Sequence, residues 1–182
     1  MDNKKQLAKI EKCMESSSLC AISRDYIDTF SLYGYPVDAS GELVAISFIY
    51  DFMPDGYKII RKKDITDVFC GAAERFLDKV IKNEHKDFKP ELKNIKLSTM
   101  KALCDELMSS GQIVTLECED FEENIVLIGK IASIDGNLVS IKTFDALGVW
   151  DKEISSVELD DITCITIDNS YVNIISKYLR EK

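Results

Sequence analysis

Apolar residues recur at helical spacing over residues 3–15, where Leu7, Ile10 and Met14 fall on one face. The spacing returns over 98–109 at Met100, Leu103, Leu107 and Met108, with Ser98 placed to cap the start and Gly111 to end the helix. After each helix the pattern changes to short runs rich in β-branched and aromatic residues. In the first half these cover 18–23, 29–38, 42–50, 56–62 and 65–70; in the second, 112–118, 124–134, 137–145, 151–158 and 161–167. Ala39-Ser40-Gly41, Met53-Pro54-Asp55-Gly56 and Asp135-Gly136-Asn137 supply turn signals between them. A closing helix follows each set, at 72–83 with Ala73, Phe76, Leu77 and Val80, and at 170–180 with Tyr171, Ile174, Ile175 and Tyr178.

The same order of elements therefore occurs twice. Laid on itself with a shift of about 94 to 97 residues, the chain matches in register. Leu19-Cys20-Ala21-Ile22 falls on Ile113-Val114-Thr115-Leu116, and Gly34 on Gly129. Gly41-Glu42-Leu43-Val44 falls on Gly136-Asn137-Leu138-Val139, and Asp64-Ile65-Thr66 on Asp161-Ile162-Thr163. The chain reads as a tandem duplication, residues 1–88 and 89–182, with the charged stretch Asn83–Asn94 as linker. Closure hides the edges of five short strands. The expected fold is therefore mainly β with flanking helices (α+β): two tandem five-stranded small barrels.

Charge changes this picture only in the second half. Residues 1–96 hold 16 basic and 16 acidic side chains, whereas 97–182 hold 7 and 16, so the net charge of −9 lies entirely there. Nucleic acid should be repelled from that half. The first half has one basic run, with Lys58, Arg61, Lys62 and Lys63 as candidate phosphate contacts. Strand alternation would place Lys58 and Lys62 on one side and Arg61 and Lys63 on the other, which splits the cluster. No stretch is long and apolar enough for a membrane span, and the first residues lack an apolar leader, so a cytoplasmic protein is expected.

The segment Gly129-Lys130-Ile131-Ala132-Ser133-Ile134-Asp135 followed by Leu138-Val139-Ser140-Ile141 resembles Sm-like small barrels, relatives of SH3-type barrels. Gly34-Tyr35-Pro36-Val37-Asp38 is a weaker version. The chain also resembles uncharacterised bacterial proteins of unknown function, through Pro54-Asp55-Gly56-Tyr57 and Asp64-Ile65-Thr66. The resemblance implies the barrel fold, and RNA as one partner class. The RNA pocket of Sm proteins needs an asparagine a few residues after the aspartate and an arginine-glycine pair. Asn137 follows Asp135 by only two residues, and no arginine here precedes a glycine.

Little else points to chemistry. His85 is the one histidine, and no serine or cysteine is marked as its partner. The six cysteines form no zinc spacing and read as buried, reduced thiols. No glycine-rich phosphate loop occurs. No catalytic, metal or cofactor-binding residue is assigned, and no cofactor is expected. The loop after the third strand combines Asp51, Phe52 and Tyr57 in the first copy, and Asp145 and Trp150 in the second. These five are the candidate partner-binding residues. The expected function is a non-enzymatic interaction module. It would bind an unknown protein, or another copy of itself, through loops or edge strands. RNA or DNA binding through the basic run is the alternative. A small-ligand site between the two units ranks below both.

Overall fold

The computed structural model describes residues 3–92, 95–119 and 124–181. The first half runs α1 (Asn3–Glu15), β1 (Cys20–Arg24), β2 (Asp28–Ala39), β3 (Leu43–Tyr50), β4 (Met53–Arg61), β5 (Asp67–Phe69) and α2 (Ala72–Glu84). The second runs α3 (Met100–Ser110), β6 (Ile113–Cys118), β7 (Ile125–Asp135), β8 (Leu138–Thr143), β9 (Ser155–Glu158), β10 (Cys164–Ile167) and α4 (Ser170–Ile175). A 3-10 turn separates the fourth and fifth strands of each half, at Lys62–Asp64 and Leu159–Asp161. The α3 helix is capped by Thr99, whose side chain accepts from the Ala102 N–H, and ends at Gly111 in the left-handed conformation.

The two closed barrels expected from the sequence do not form. All ten strands lie in one open antiparallel sheet, ordered β5-β1-β2-β3-β4-β10-β6-β7-β8-β9. Each half contributes the same internal order, with its fifth strand beside its first. Closure would require the fourth strand to reach the fifth strand of its own half. Instead β4 pairs with β10 of the other half, and among the described residues the free edges are β5 and β9.

The halves also bend alike. The β2–β3 ladder shifts register between Pro36 and Asp38, and the β7–β8 ladder between Ile131 and Ser133. Gly34 and Gly129 lie just before these bulges, where a Cβ would run into the backbone of Ser47 or Lys142.

The central strands are covered on both faces. Leu43, Ala45 and Ile59 join α3 (Met100, Leu103, Cys104, Leu107) in one core. Their neighbours Val44, Ile46 and Ile60 join α1 (Ile10, Cys13) in another. Successive strand residues point to opposite faces, so α1 and α3 pack on opposite sides of the sheet. Both cores cross the join, since Cys164 belongs to the α1 core and Ile59 to the α3 core. A third, smaller core holds Leu19, Tyr35, Ile49 and Ile81 under α2. Among the described residues no helix is long and apolar enough to cross a membrane.

Candidate interaction edges and the joint between the repeats

The joint between the halves is a strand pair reinforced by buried charges. Tyr57, Lys58, Ile59 and Ile60 of β4 face Ile167, Thr166, Ile165 and Cys164 of β10. Gly56 begins this contact with φ of +72°, and a Cβ there would meet the backbone of Ile167 and Asn169. Beyond it, the Asp55 carboxylate accepts from both the backbone and the hydroxyl of Ser170 at the start of α4.

On the α1 side of the sheet, Arg24 lies fully buried and donates two hydrogen bonds to Glu119, at 2.5 and 2.8 Å. The Thr163 hydroxyl donates to the same carboxylate at 2.8 Å. Burial pushes the Glu119 carboxyl up, but Arg24 and Thr163 more than offset this and hold it below the ordinary carboxylate range. Beside it, Lys58 donates to both oxygens of Glu117 at 2.7 and 3.1 Å, and the Thr166 hydroxyl donates to Glu117 at 2.7 Å. Burial pulls the Lys58 ammonium down, yet its surroundings, Glu117 among them, leave it raised.

Arg61 completes the latch. Its Nε and Nη2 donate to the carbonyls of Ile162 and Leu159, at 3.0 and 2.7 Å, and its Nη1 to Glu42 at 2.5 Å. The guanidinium thus lies against the acidic turn Leu159–Asp161 of the other half.

The candidate residues disperse accordingly. Lys58 and Arg61 lie inside the joint, each held by a carboxylate. Lys62 and Lys63 lie in the 3-10 turn that ends β4, with Lys63 exposed. Tyr57 also sits at the joint, and its hydroxyl donates to the Glu91 carbonyl at 2.7 Å. Asp51 and Phe52 form the two-residue tip of the β3–β4 hairpin, both with positive φ (45° and 66°). The Phe52 carbonyl lies 2.9 Å from His85 Nε2. Asp145 shapes its own turn by accepting from the N–H groups of Leu147 and Val149. Trp150 packs edge-on against Phe144 and lies under the ammonium groups of Lys130 and Lys142. Arg24, Glu117 and Glu119, which build the joint, are not among the residues singled out from the sequence. Only Glu117, between Leu116 and Cys118, carries the signal of a charge inside an apolar run; Arg24 stands before Asp25, and Glu119 opens an acidic stretch.

The free edges are the counterparts of the two strands in the joint. The turns at Lys62–Asp64 and Leu159–Asp161 align at a shift of ~97 residues. The same shift places β9 on the end of β4 and β5 on β10, and it places Glu158 on Arg61. The charge is reversed at this position: Arg61 donates to backbone carbonyls of the acidic turn, whereas Glu158 is the counterpart that would stand beside the basic turn Lys62–Asp64. Large apolar side chains stand exposed at both edges, Phe69 on β5 and Ile154 just before β9.

Among the described residues no cluster of His, Cys, Asp and Glu is arranged to hold a metal ion. No protein-family model, curated protein or solved structure matches the chain.

Proposed function

We propose that this protein is a non-enzymatic interaction module that binds by strand addition at its two open sheet edges, and that another copy of the chain is its partner. One observation carries this. The joint inside the chain pairs a fourth strand with a fifth strand, and among the described residues the two edges without a neighbouring strand are again a fifth strand, β5, and a fourth strand, β9. The Val68 carbonyl and N–H of β5 are held by the side chains of Lys9 and Asp67, which pairing would displace. Two chains can therefore join head to tail by repeating the contact already present within each. Such a heterologous contact closes into a ring if the rotation per joint allows, and otherwise grows as a filament.

The internal register specifies the external one. Cys164 opposite Ile60 becomes Asp67 opposite Val157. Val68 then faces Ser156, and Phe69 faces Ser155. The reversal of charge supports the same pairing, because Glu158 of one copy meets Lys62 and Lys63 of the next. Both edges are short, three residues in β5 and four in β9, which guards against indiscriminate edge pairing. Occupation of Lys58 and Arg61 by carboxylates within the chain favours this reading over nucleic-acid binding.

The test is photo-crosslinking with Phe69→benzoylphenylalanine in a mixture of isotopically labelled and unlabelled chains. Crosslinks between differently labelled chains that map to the β9 strand support the pairing. Crosslinks confined to one chain, or none, remove it.

A further inference from the structure

Six cysteines are free, and Cys70 alone among them is exposed. Its sulfur lies 3.0 Å from that of Cys13, 57 residues away in sequence. The two come together because α1 packs against β5, and Cys70 follows that strand directly. Lys9 fixes the approach by donating to the Val68 carbonyl at 2.7 Å and to Asp67 at 3.0 Å. Cys70 also stands one residue ahead of Gly71, the N-cap of the 13-residue helix α2. A cavity of about 660 Å³ opens over the pair, with Lys9, Lys12 and Arg75 along its wall beside Glu74. Cys20, fully buried in the first strand, interacts with both thiols.

We propose that Cys70 and Cys13 form a redox-active pair in which a hydroperoxide oxidises Cys70 and Cys13 then closes a disulfide. The Cys70 sulfur attacks the outer peroxide oxygen. An S–O bond forms and the O–O bond breaks. The leaving oxygen takes a proton as an alcohol, or as water where hydrogen peroxide is the oxidant. Sulfur loses two electrons and the peroxide gains two. Cys13 then attacks the sulfenic sulfur and gives up its proton. The S–S bond forms and the S–O bond breaks, releasing water. A small dithiol reverses the bond by exchange.

Three observations support these roles. Cys70 is reached from the cavity, whereas Cys13 is buried beneath it, so the oxidant meets Cys70 first. The neighbouring Cys20 leads in lowering the Cys70 pKa to about 6, helped by Cys13 and Lys9 and opposed by burial and Glu74. Two buried thiols away from the pair, Cys104 and Cys164, are pushed up to about 12 by burial.

The experiment treats the reduced full-length protein with one equivalent of hydrogen peroxide and reads intact mass and the non-reduced peptide map. Expected is the loss of two hydrogens, reversed by dithiothreitol, with the bond between Cys13 and Cys70. C20S should still form that bond, and C13S should instead hold a dimedone-trapped sulfenic acid at Cys70. The wild-type map decides the matter even if a variant fails to fold. No loss of hydrogens, a bond from Cys70 to Cys20, or oxidation spread evenly over all cysteines would overturn the pair. Every readout concerns one chain, and at protein concentrations where the chain is monomeric its failure is distinguishable from a failure of head-to-tail association.

Discussion

The buried guanidinium of Arg24 grips the carboxylate of Glu119, 95 residues further along the chain, and so ties the first strand of one repeat to the edge of the joint with the other. Neither charge is solvated well enough to stand alone. Removing one partner should therefore cost about 3–5 kcal/mol, as breaking a buried ion pair does. Chemical denaturation of Glu119→Ala and Arg24→Ala should show losses of this size. The apolar pair Arg24→Met with Glu119→Leu should recover most of the loss. Equal losses in the single and double variants would contradict the assignment.

The same carboxylate sets a pH dependence. The Glu119 pKa is lowered in the folded protein, so its contribution is present above the unfolded carboxylate value of 4.5. It is lost as pH falls below that value through the lowered folded pKa. Thermal unfolding followed from neutral pH into acid should show a fall in Tm that is shallower in Glu119→Gln than in the wild type.

Two turn-like positions behave oppositely. Phe52 holds a φ of 66° at a two-residue hairpin tip, a conformation that costs a bulky L-residue about 1–2 kcal/mol. Phe52→Gly should raise stability by roughly that amount. Gly56→Ala adds a Cβ where the backbone of Ile167 already lies, at a φ of 72°. It should lower stability by at least about 1–3 kcal/mol. Paired denaturation curves check both signs.

Cys70 should react as a thiolate well below ordinary thiol pH. Its alkylation by iodoacetamide should rise through pH about 6 and be near its plateau by neutral pH, whereas the unfolded chain should follow the ordinary thiol value of 9.0. A folded profile that matches the unfolded one would remove the proposed activation.

Most strands and helices were legible because period and turn chemistry agree locally. The helix over 3–15 and the strand over 113–118 stand within a residue or two of their expected places. The turn expected at Met53–Gly56 did not form. Pro54 and Gly56 lie within β4, and the chain reverses at Asp51-Phe52, where Asp51 is a turn former but Phe52 is not. Gly56 answers instead to the neighbouring repeat. The strand expected over 151–158 starts only at Ser155. Closed barrels were expected because closure hides strand edges; the feature that points instead to an open shared sheet is the continuous apolar run Leu43–Ile46. Such a run marks a strand buried on both faces, which the central strand of a shared sheet requires. The pairings of Arg24 with Glu119 and of Cys13 with Cys70 span nearly a repeat or more than half of one, and no local pattern announces them.

The proposed assembly joins β9 of one copy to β5 of the next. Light scattering coupled to size exclusion, over a range of protein concentrations, tests it most directly in the wild type, in Glu158→Lys and in Glu158→Lys combined with Lys62→Glu and Lys63→Glu. Head-to-tail pairing predicts mass that grows with concentration in the wild type, falls toward the monomer in the single variant and returns in the combined one. A wild type that stays monomeric at every concentration, or a mass that ignores both changes, would contradict it.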